Sequence, residues 1–148
     1  MIALASDHGG FILKGEIAEY LKSRGIEFHD YGTYSESSVD YPSVIKRPCE
    51  DIKAGKVSKG IFICGTGIGI SMAANKYNGI RAACTTEVFS AKLAREHNDA
   101  NVLCLGGRIL SGEYAFSIVD AFLTTEFSNG ERHINRIKQL SNIEESQK

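Results

Sequence analysis

The amino-acid sequence predicts an α/β fold in which an open parallel sheet is covered by helices on both faces. Short runs rich in Ile, Val and Leu alternate five times with longer segments of helical period, and this alternation is typical of such sheets. The 148 residues are enough for one domain of ordinary size. Because no internal repeat or low-complexity linker interrupts the alternation, we treat residues 1–148 as a single domain.

The predicted elements follow one another regularly along the chain. Ile2 to Ala5 is apolar throughout, as expected of a strand buried on both faces of a parallel sheet. In the segment that follows, Leu13, Ile17 and Leu21 recur at the spacing of one helix face. We expect strands at residues 2–5, 26–31, 60–64, 80–85 and 102–105. We expect helices at about residues 13–25, 43–54, 67–76, 88–97 and 114–123.

Pro48 lies inside the second predicted helix and is expected to kink or divide it. The stretch before that helix, residues 32–42, is rich in Ser, Gly and Tyr. We therefore predict a loop there.

The last segment, residues 131–148, differs from the rest of the chain. Its apolar residues form a narrow stripe at steps of three on an otherwise polar helix: Ile134, Ile137, Leu140 and Ile143. The five preceding helices already suffice to cover the sheet. Such a stripe packs either on its own domain or on a second subunit, and the sequence leaves both alternatives open.

The composition argues against several functional classes. With a net charge of −1, the protein is not expected to attract nucleic acid or an anionic membrane. The chain begins MIALASDHGG, without a signal peptide, and no apolar run approaches the ~18 residues of a membrane span, so we expect a cytoplasmic protein. The four cysteines lie 15 to 20 residues apart without a CxxC pair, and they indicate neither a zinc site nor a disulfide framework.

Reactive side chains and glycines follow four of the predicted strands. In an open parallel sheet, ligands bind beyond the carboxyl ends of the strands. These ends carry the segments SDHGG at 6–10, CGTG at 64–67, TTE at 85–87 and GGR at 106–108. We expect His97, at the end of the fourth helix, to reach the same edge as His8. The sequence therefore predicts one candidate site at this edge.

The segment ICGTGIGIS, residues 63–71, is typical of a backbone that bends around an anion. Gly65, Gly67 and Gly69 let backbone N–H groups approach a ligand, and they open a helix whose N-terminus attracts negative charge. The anion is either a stable phosphate or one that develops during a reaction. Ile70 stands where a dinucleotide fingerprint needs glycine and a cysteine phosphatase needs arginine. A nucleotide site with Glu87 as ribose ligand stays open, as does a tight turn without a ligand.

Cys64 stands at the start of this loop. A buried cysteine at a strand end is usually just a small apolar residue. A thiol near a helix N-terminus can instead have a lowered pKa, and its thiolate would act as nucleophile or general base. Arg132 and Arg136 are four residues apart and share one helix face, and Arg108 follows the fifth strand. These arginines are either solvated at the surface or ligands of a phosphate group.

Several long motifs occur in the same order as in one known family. They are SDHGGFILK at 6–14, DYG at 30–32, DYP at 40–42, CGTGIGISMAANK at 64–76, GIRAA at 79–83, EHNDANVLCLGGR at 96–108 and RHxxR at 132–136. On these motifs the sequence resembles the type B ribose-5-phosphate isomerases, in the wider group that includes galactose-6-phosphate and allose-6-phosphate isomerases. The resemblance implies a Rossmann-like three-layer α/β/α sandwich with five parallel strands and a C-terminal helix. It also implies a dimer or tetramer with the active site between subunits, and neither metal nor organic cofactor.

The resemblance further implies roles for the residues at matching positions. Cys64 resembles the general base that moves a proton between C2 and C1 of the open-chain sugar. His97 resembles the acid that helps to open the furanose ring, together with Thr66. The backbone amides of Gly65, Thr66, Gly67, Ile68 and Gly69 would hold the enediolate oxygen. The other substrate-binding candidates are Asp7, His8 and Asn98 for the sugar, Arg108, Arg132 and Arg136 with His8 for the phosphate, and Tyr41 and Ser71 as further lining residues.

One position departs from part of that family. Some members lack the cysteine and place a glutamate base directly after the last glycine, where this chain has Ile70, so Cys64 is left as the base candidate. The implied function is interconversion of ribose 5-phosphate and ribulose 5-phosphate through an enediolate, a step of the pentose phosphate pathway. Two alternatives stay open: isomerisation of a six-carbon sugar phosphate, and a non-catalytic nucleotide-binding module.

Overall fold

The computed structural model describes all 148 residues and confirms the predicted three-layer arrangement. Its central sheet has five parallel strands in the order β2-β1-β3-β5-β4. The strands are β1 Ile2–Ser6, β2 Phe28–Asp30, β3 Lys59–Cys64, β4 Ala82–Cys84 and β5 Val102–Gly106. The helices are α1 Phe11–Ser23, α2 Tyr41–Val44, α3 Lys46–Lys53, α4 Ile68–Ala74, α5 Val88–Glu96, α6 Gly112–Thr124 and α7 Glu131–Ser146, and a 3-10 turn at His8–Gly10 precedes α1.

The sheet separates two apolar clusters. β1, β3 and β5 are buried along almost their whole length because helices cover both faces of the sheet. On one face, Ile17 of α1, Ala91 of α5 and Phe122 of α6 pack against the strands. On the other face, Cys49 of α3 and Ile70 of α4 do so. The continuous apolar runs of the sequence thus correspond to strands without a solvent-exposed face.

The two edge strands are shorter than the sequence predicts. β2 covers residues 28–30 rather than 26–31, and β4 covers residues 82–84 rather than 80–85. Each of them pairs with one neighbour only. Ile26 and Ile80 pack against the core and carry the apolar signal of a strand, but the neighbouring strand does not extend far enough to include them in a ladder.

Pro48 divides the second predicted helix, as expected. Ile45 separates α2 from α3. In an uninterrupted helix the proline ring would collide with the carbonyl group four residues earlier, which belongs to Val44. In the first turn of α3 the missing N–H of Pro48 removes no intrahelical hydrogen bond. The division places Tyr41 at the start of a short helix beside the loop of residues 32–40.

The C-terminal helix α7 contacts its own domain and keeps much of its apolar stripe exposed. The Glu144 carboxylate accepts the backbone N–H of Gly79 at 3.1 and 3.2 Å. Ile134, Leu140 and Ile143 are nevertheless 48 to 54% exposed. The helix therefore leaves apolar surface for a further contact. None of the helices is both long and apolar enough to cross a membrane.

Candidate active site

The carboxyl ends of β1, β3 and β5 meet at one edge of the sheet and are packed together through glycines. The register pairs Cys64 of β3 with Gly106 of β5, so the loops that follow begin side by side. Gly107 lies so close to the carbonyl oxygen of Gly9 that a methyl group on Gly107 would overlap it. The backbones at these strand ends thus form one continuous surface.

The loop after β3 uses some of its backbone N–H groups to hold its own shape. Gly67 has a φ of 82°, a left-handed conformation that glycine adopts without strain, and there the chain turns into α4. Its N–H donates to Cys64 Sγ at 3.1 Å. The N–H of Ile68 donates to Thr66 Oγ1 at 3.2 Å. Two of the five amides expected to face an oxyanion are therefore already engaged within the loop.

Four other N–H groups of this loop donate to no protein acceptor. They belong to Gly65, Thr66, Gly69 and Ile70. Unpaired donors at the start of a helix carry partial positive charge and are suited to an anion. Ile70 enters this set through its backbone, although its side chain is buried in the core.

Cys64 is 4% exposed and lies at the beginning of this loop. The other three thiols differ from it in surroundings. Burial raises the pKa of Cys49 to about 12 and raises that of Cys104 well above its usual range. Burial and the nearby Cys64 also raise the pKa of Cys84, although this residue at the end of β4 is exposed rather than buried. Cys64 is the thiol whose sulfur accepts a hydrogen bond from the glycine loop.

Asp7 and His8 follow β1 at the same edge. Asp7 Oδ1 accepts the N–H groups of Gly9 at 2.8 Å and Gly10 at 3.3 Å, which caps the 3-10 turn. Its Oδ2 makes no hydrogen bond within the protein. His8 Nδ1 accepts the backbone N–H of Val39 at 3.2 Å. Each of the two side chains thus keeps one polar atom free for a ligand.

Two cavities that share His8 open at this edge. The larger, of about 550 Å³, is lined by Asp7, His8, Tyr41 and their neighbours between residues 38 and 43. The smaller, of about 390 Å³, lies between His8 and Arg108. The structure thus brings together Asp7, His8 and Arg108, as the strand ends predict, and places Tyr41 beside them.

Tyr41 and Arg108 also border the glycine loop. A methyl group on Gly69 would lie 2.7 Å from the Tyr41 ring, and one on Gly65 would lie 2.9 Å from an Arg108 guanidinium nitrogen. The hydroxyl of Ser71, the remaining lining candidate, donates to the carbonyl of Ile68 at 2.7 Å inside α4. We call Asp7, His8, Tyr41, Cys64, the loop of residues 65–70 and Arg108 the carboxyl-edge cluster.

His97 and Asn98 lie at the opposite edge of the sheet, and the expectation that His97 reaches the same edge as His8 is wrong. α5 begins after the carboxyl end of β4 and runs back along the sheet, so the residues after it lie near the amino ends of the strands. There the Arg81 guanidinium, next to the start of β4, donates to the carbonyl of Asn98 at 3.1 Å.

His133 joins His97 at this edge, together with Arg132 and Arg136. The His133 and His97 rings are stacked, with centroids 4.3 Å apart and planes at 28°. His133 Nε2 accepts from Arg132 Nε at 3.3 Å, so its proton lies on Nδ1, 2.8 Å from Ser128 Oγ. Burial, with the positive charges of His97, Arg132 and Arg136, lowers the pKa of His133. The sequence marks His133 only by its position inside the RHxxR motif.

We call His97, Asn98, Arg132, His133 and Arg136 the amino-edge cluster. Two arginines hold the segment that carries its first two members. Arg95 donates to the Asp99 carboxylate at 2.8 Å and to the Ala100 carbonyl at 2.7 Å. Arg81 donates to the Asp99 carbonyl at 2.8 Å and to its carboxylate at 3.3 Å. Asp99 has a φ of 44°, and these bonds fix the reversal of the chain directly after Asn98.

Other features of the molecule offer less chemistry. Glu87, the ribose ligand of the nucleotide alternative, instead caps α5 by accepting the N–H of Ser90 at 2.8 Å. That hydrogen bond lowers the pKa of Glu87. A further cavity of about 440 Å³ beneath α7 is mainly apolar. No group of three or more His, Cys, Asp or Glu side chains is arranged to hold a metal ion.

Comparison with known proteins assigns this arrangement to a class of sugar isomerases. The sequence profile described as Ribose/Galactose Isomerase matches residues 2–140. The chain therefore belongs to the ribose/galactose isomerase family.

Individual relatives agree in sequence and in structure. The chain is 47% identical to ribose-5-phosphate isomerase B of Escherichia coli, over 97% of this chain and 96% of the relative. The structure of ribose-5-phosphate isomerase B from Clostridium thermocellum superposes with a TM-score of 0.97 at 49% identity and covers 99% of both chains. The type B enzyme of Trypanosoma brucei gives a TM-score of 0.92 at 38% identity, over 96% of this chain and 97% of that one.

Proposed function

We propose that this protein interconverts D-ribose 5-phosphate and D-ribulose 5-phosphate. The observation that carries the proposal is the position of the Cys64 sulfur beside a loop with four unpartnered amides. The chain also has relatives named ribose-5-phosphate isomerase B. An aldose–ketose isomerisation needs a base for a carbon acid and donors for an enediolate oxygen, and the carboxyl-edge cluster offers both.

In this proposal Cys64 is the base. Its thiolate removes the proton from C2 of the open-chain aldose, a C1–C2 double bond forms, and the C1 carbonyl oxygen becomes the enediolate oxygen. The thiol then returns its proton to C1. Transfer of the O2 proton to O1 completes the ketose, so no proton is gained or lost. A positioned base contributes ~10²–10⁴-fold in rate, and one donor to the developing oxyanion about 3–4 kcal/mol.

Free polar atoms support the roles of Asp7 and His8, and the other roles are those implied by the resemblance to the family. Asp7 Oδ2 and His8 Nε2 lack protein partners and face hydroxyl or ring oxygens of the sugar. His97, with Thr66, opens the furanose ring, and Asn98 binds beside it. Arg132 and Arg136, with Arg108, bind the phosphate. This binding orients the reacting carbons C1 and C2.

The proposal requires two subunits. In one chain the two clusters lie beyond opposite ends of the sheet, and β5 alone, with five residues, spans about 17 Å. That distance exceeds the length of a pentose phosphate. Ile68 and Phe89, on the helices that begin at the carboxyl edge, are 52% and 67% exposed, and α7 exposes Ile134 and Leu140. A two-fold dimer that covers this apolar surface would set the amino-edge cluster of one subunit against the carboxyl-edge cluster of the other.

Mixing two impaired variants tests the shared site. Cys64→Ala lacks the base and Arg132→Ala lacks a phosphate ligand, so each alone turns over little ribose 5-phosphate at low substrate concentration. A mixed dimer has one site with both changes and one with neither, so an equimolar mixture recovers about a quarter of the wild-type activity after subunit exchange. No recovery contradicts the shared site, and near-normal turnover by Cys64→Ala contradicts the base assignment.

The choice between five- and six-carbon substrates is tested separately. The family description includes galactose, and the same groups would isomerise a six-carbon sugar phosphate. We expect the highest kcat/KM on ribose 5-phosphate among ribose 5-phosphate, allose 6-phosphate and galactose 6-phosphate, and a higher value on either hexose phosphate would reassign the substrate. A cytoplasmic location is part of the same proposal, because all four cysteines, the proposed base among them, are free thiols, and thiols persist in a reducing compartment.

A further inference from the structure

We infer that the ion pair between buried Lys14 and partly exposed Asp30 is a positioning device for the candidate site. It holds the loop of residues 31–40 so that the Val39 amide fixes His8 as the tautomer that presents Nε2–H to the cavities. The inference about the loop and the tautomer stands on contacts within the chain. Its catalytic meaning rests on the proposed function, in which His8 contacts the substrate.

The ion pair is buried on its lysine side, whereas the Asp30 side chain is 34% exposed. The Lys14 side chain is 3% exposed, and its ammonium lies 2.6 and 2.8 Å from the two Asp30 oxygens. The same ammonium lies 5.1 Å from the ring centroid of Tyr34 and 5.7 Å from that of Phe11. Lys14 therefore holds a carboxylate and an aromatic ring of the loop region at once.

Asp30 and Tyr34 fix the beginning of the loop. Asp30 Oδ1 also accepts the N–H of Gly32 at 2.8 Å, and the Tyr34 hydroxyl donates to the Asp30 carbonyl at 3.0 Å. Backbone bonds of 2.7 Å join Ser6 to Gly32 and to Thr33. The turn from β2 into the loop is thus tied to Lys14 of α1 and to the end of β1.

Few hydrogen bonds hold the loop between its anchored start and Val39. Over residues 35–39 the hydrogen bonds are one from Ser37 N–H to Ser35 Oγ and the one from Val39 N–H to His8 Nδ1. Residues 34–38 are exposed. The position of the Val39 amide therefore depends on the anchored start of the loop and on α2 at its other end.

The Val39 amide determines which ring nitrogen of neutral His8 carries the proton. A backbone N–H only donates, so Nδ1 must offer its lone pair, and the proton lies on Nε2. Nε2 makes no hydrogen bond within the protein, and His8 lines both cavities of the carboxyl edge. His8 therefore presents a single N–H donor to a substrate oxygen, whereas a ring released by Val39 would divide its population between two tautomers.

The test compares Lys14→Met with Lys22→Met. The second variant removes an exposed ion pair with Glu19 on the same helix and is the matched control. Long-range ¹H–¹⁵N spectra of the imidazole rings report the His8 tautomer directly, and steady-state kinetics report KM and kcat. In the wild type and in Lys22→Met we expect an unprotonated Nδ1 and a protonated Nε2. In Lys14→Met we expect both His8 nitrogen signals to move toward averaged positions, with KM raised about tenfold and kcat within about threefold, since a ground-state contact is weakened.

A second variant keeps the test decisive if Lys14→Met does not fold. Tyr34→Ala removes a side chain that is 71% exposed. The change deletes the contact of the Tyr34 ring with the Lys14 ammonium and the hydrogen bond from the Tyr34 hydroxyl to the Asp30 carbonyl. It should shift the His8 signals in the same direction. A wild-type His8 that is protonated on Nδ1, or His8 signals unchanged in the loop variants, overturns the inference. A wild type without activity on ribose 5-phosphate would instead refute the proposed function, and the spectra would still decide the positioning role.

Discussion

Replacing Gly69 by alanine separates the role of the glycine loop in catalysis from its role in stability. The added methyl group would lie 2.7, 2.8 and 3.0 Å from three atoms of the Tyr41 side chain. Carbon atoms in normal contact are about 3.5–4.0 Å apart, so the ring must retreat by about 1 Å. If Tyr41 lines the substrate as proposed, a displacement of that size can cost ~100-fold in rate. We therefore expect Gly69→Ala to lower kcat/KM by about 10- to 100-fold.

The effect on stability is expected to be much smaller. Alanine in a helix gains about 0.5–1 kcal/mol over glycine, and overpacking costs about 1–3 kcal/mol. Tyr41 is 36% exposed and can move, so the overpacking cost should stay below the top of its range. The unfolding free energy should therefore fall by about 0–2 kcal/mol.

Gly15→Ala is the matched control, because nothing lies within 4 Å of a methyl group at this position in α1. It should gain about 0.5–1 kcal/mol and leave kcat/KM unchanged. Thermal unfolding and steady-state kinetics on the three proteins measure both quantities. A double variant with Tyr41→Ala should restore the stability gain at Gly69, since the obstructing ring is absent. Unchanged kcat/KM in Gly69→Ala would refute the reasoning.

Two further outcomes are expected. Cys64→Ala should lower kcat by at least ~10²-fold while ribose 5-phosphate still binds in calorimetry, because this variant removes the proposed base and keeps the proposed phosphate ligands. Loss of binding without a specific loss of kcat would contradict this role. Burial lowers the pKa of His133, so the folded state favours the neutral ring. The resulting contribution to stability is fully present above the unfolded pKa of 6.5 and is lost as the pH falls through the lower folded pKa. The melting temperature of the wild type should thus fall more steeply below about pH 6.5 than that of His133→Asn, and parallel curves would argue against it.

The sequence predicts the sheet well because three of its strands have no exposed face. β1, β3 and β5 consist mainly of buried apolar residues, so each strand is visible in the sequence as a continuous apolar run of the right length. At the edge strands the apolar signal predicts too many strand residues. Ile26 and Ile80 are apolar because they pack against the core, and neither is paired in the sheet. The sequence does not decide whether the tail packs on its own domain or on a second subunit. In the structure Glu144 contacts its own domain, and apolar surface of α7 stays exposed.

The candidate site is predictable only where chain order determines position. Asp7 directly follows β1, Cys64 ends β3 and Arg108 lies two residues after β5, so the parallel sheet brings them to one edge. His97 follows α5, which begins at the carboxyl edge and therefore ends at the amino edge. The spacing of the motifs in the sequence does not indicate this reversal. Lys14 is a charged residue on a helix face, and its burial against Asp30 depends on a contact between distant segments that no local pattern encodes.

The placement of the two clusters at opposite edges has a consequence for how activity would scale with protein concentration. If the site is shared as proposed, the base and the acid of one chain belong to two different sites. A separated chain therefore has no complete site. Turnover per chain would then fall on dilution below the dissociation constant of the dimer, with a roughly quadratic dependence of rate on total protein. A sugar phosphate bound in a shared site would contact both subunits. The substrate would therefore stabilise the dimer and oppose the loss of activity on dilution.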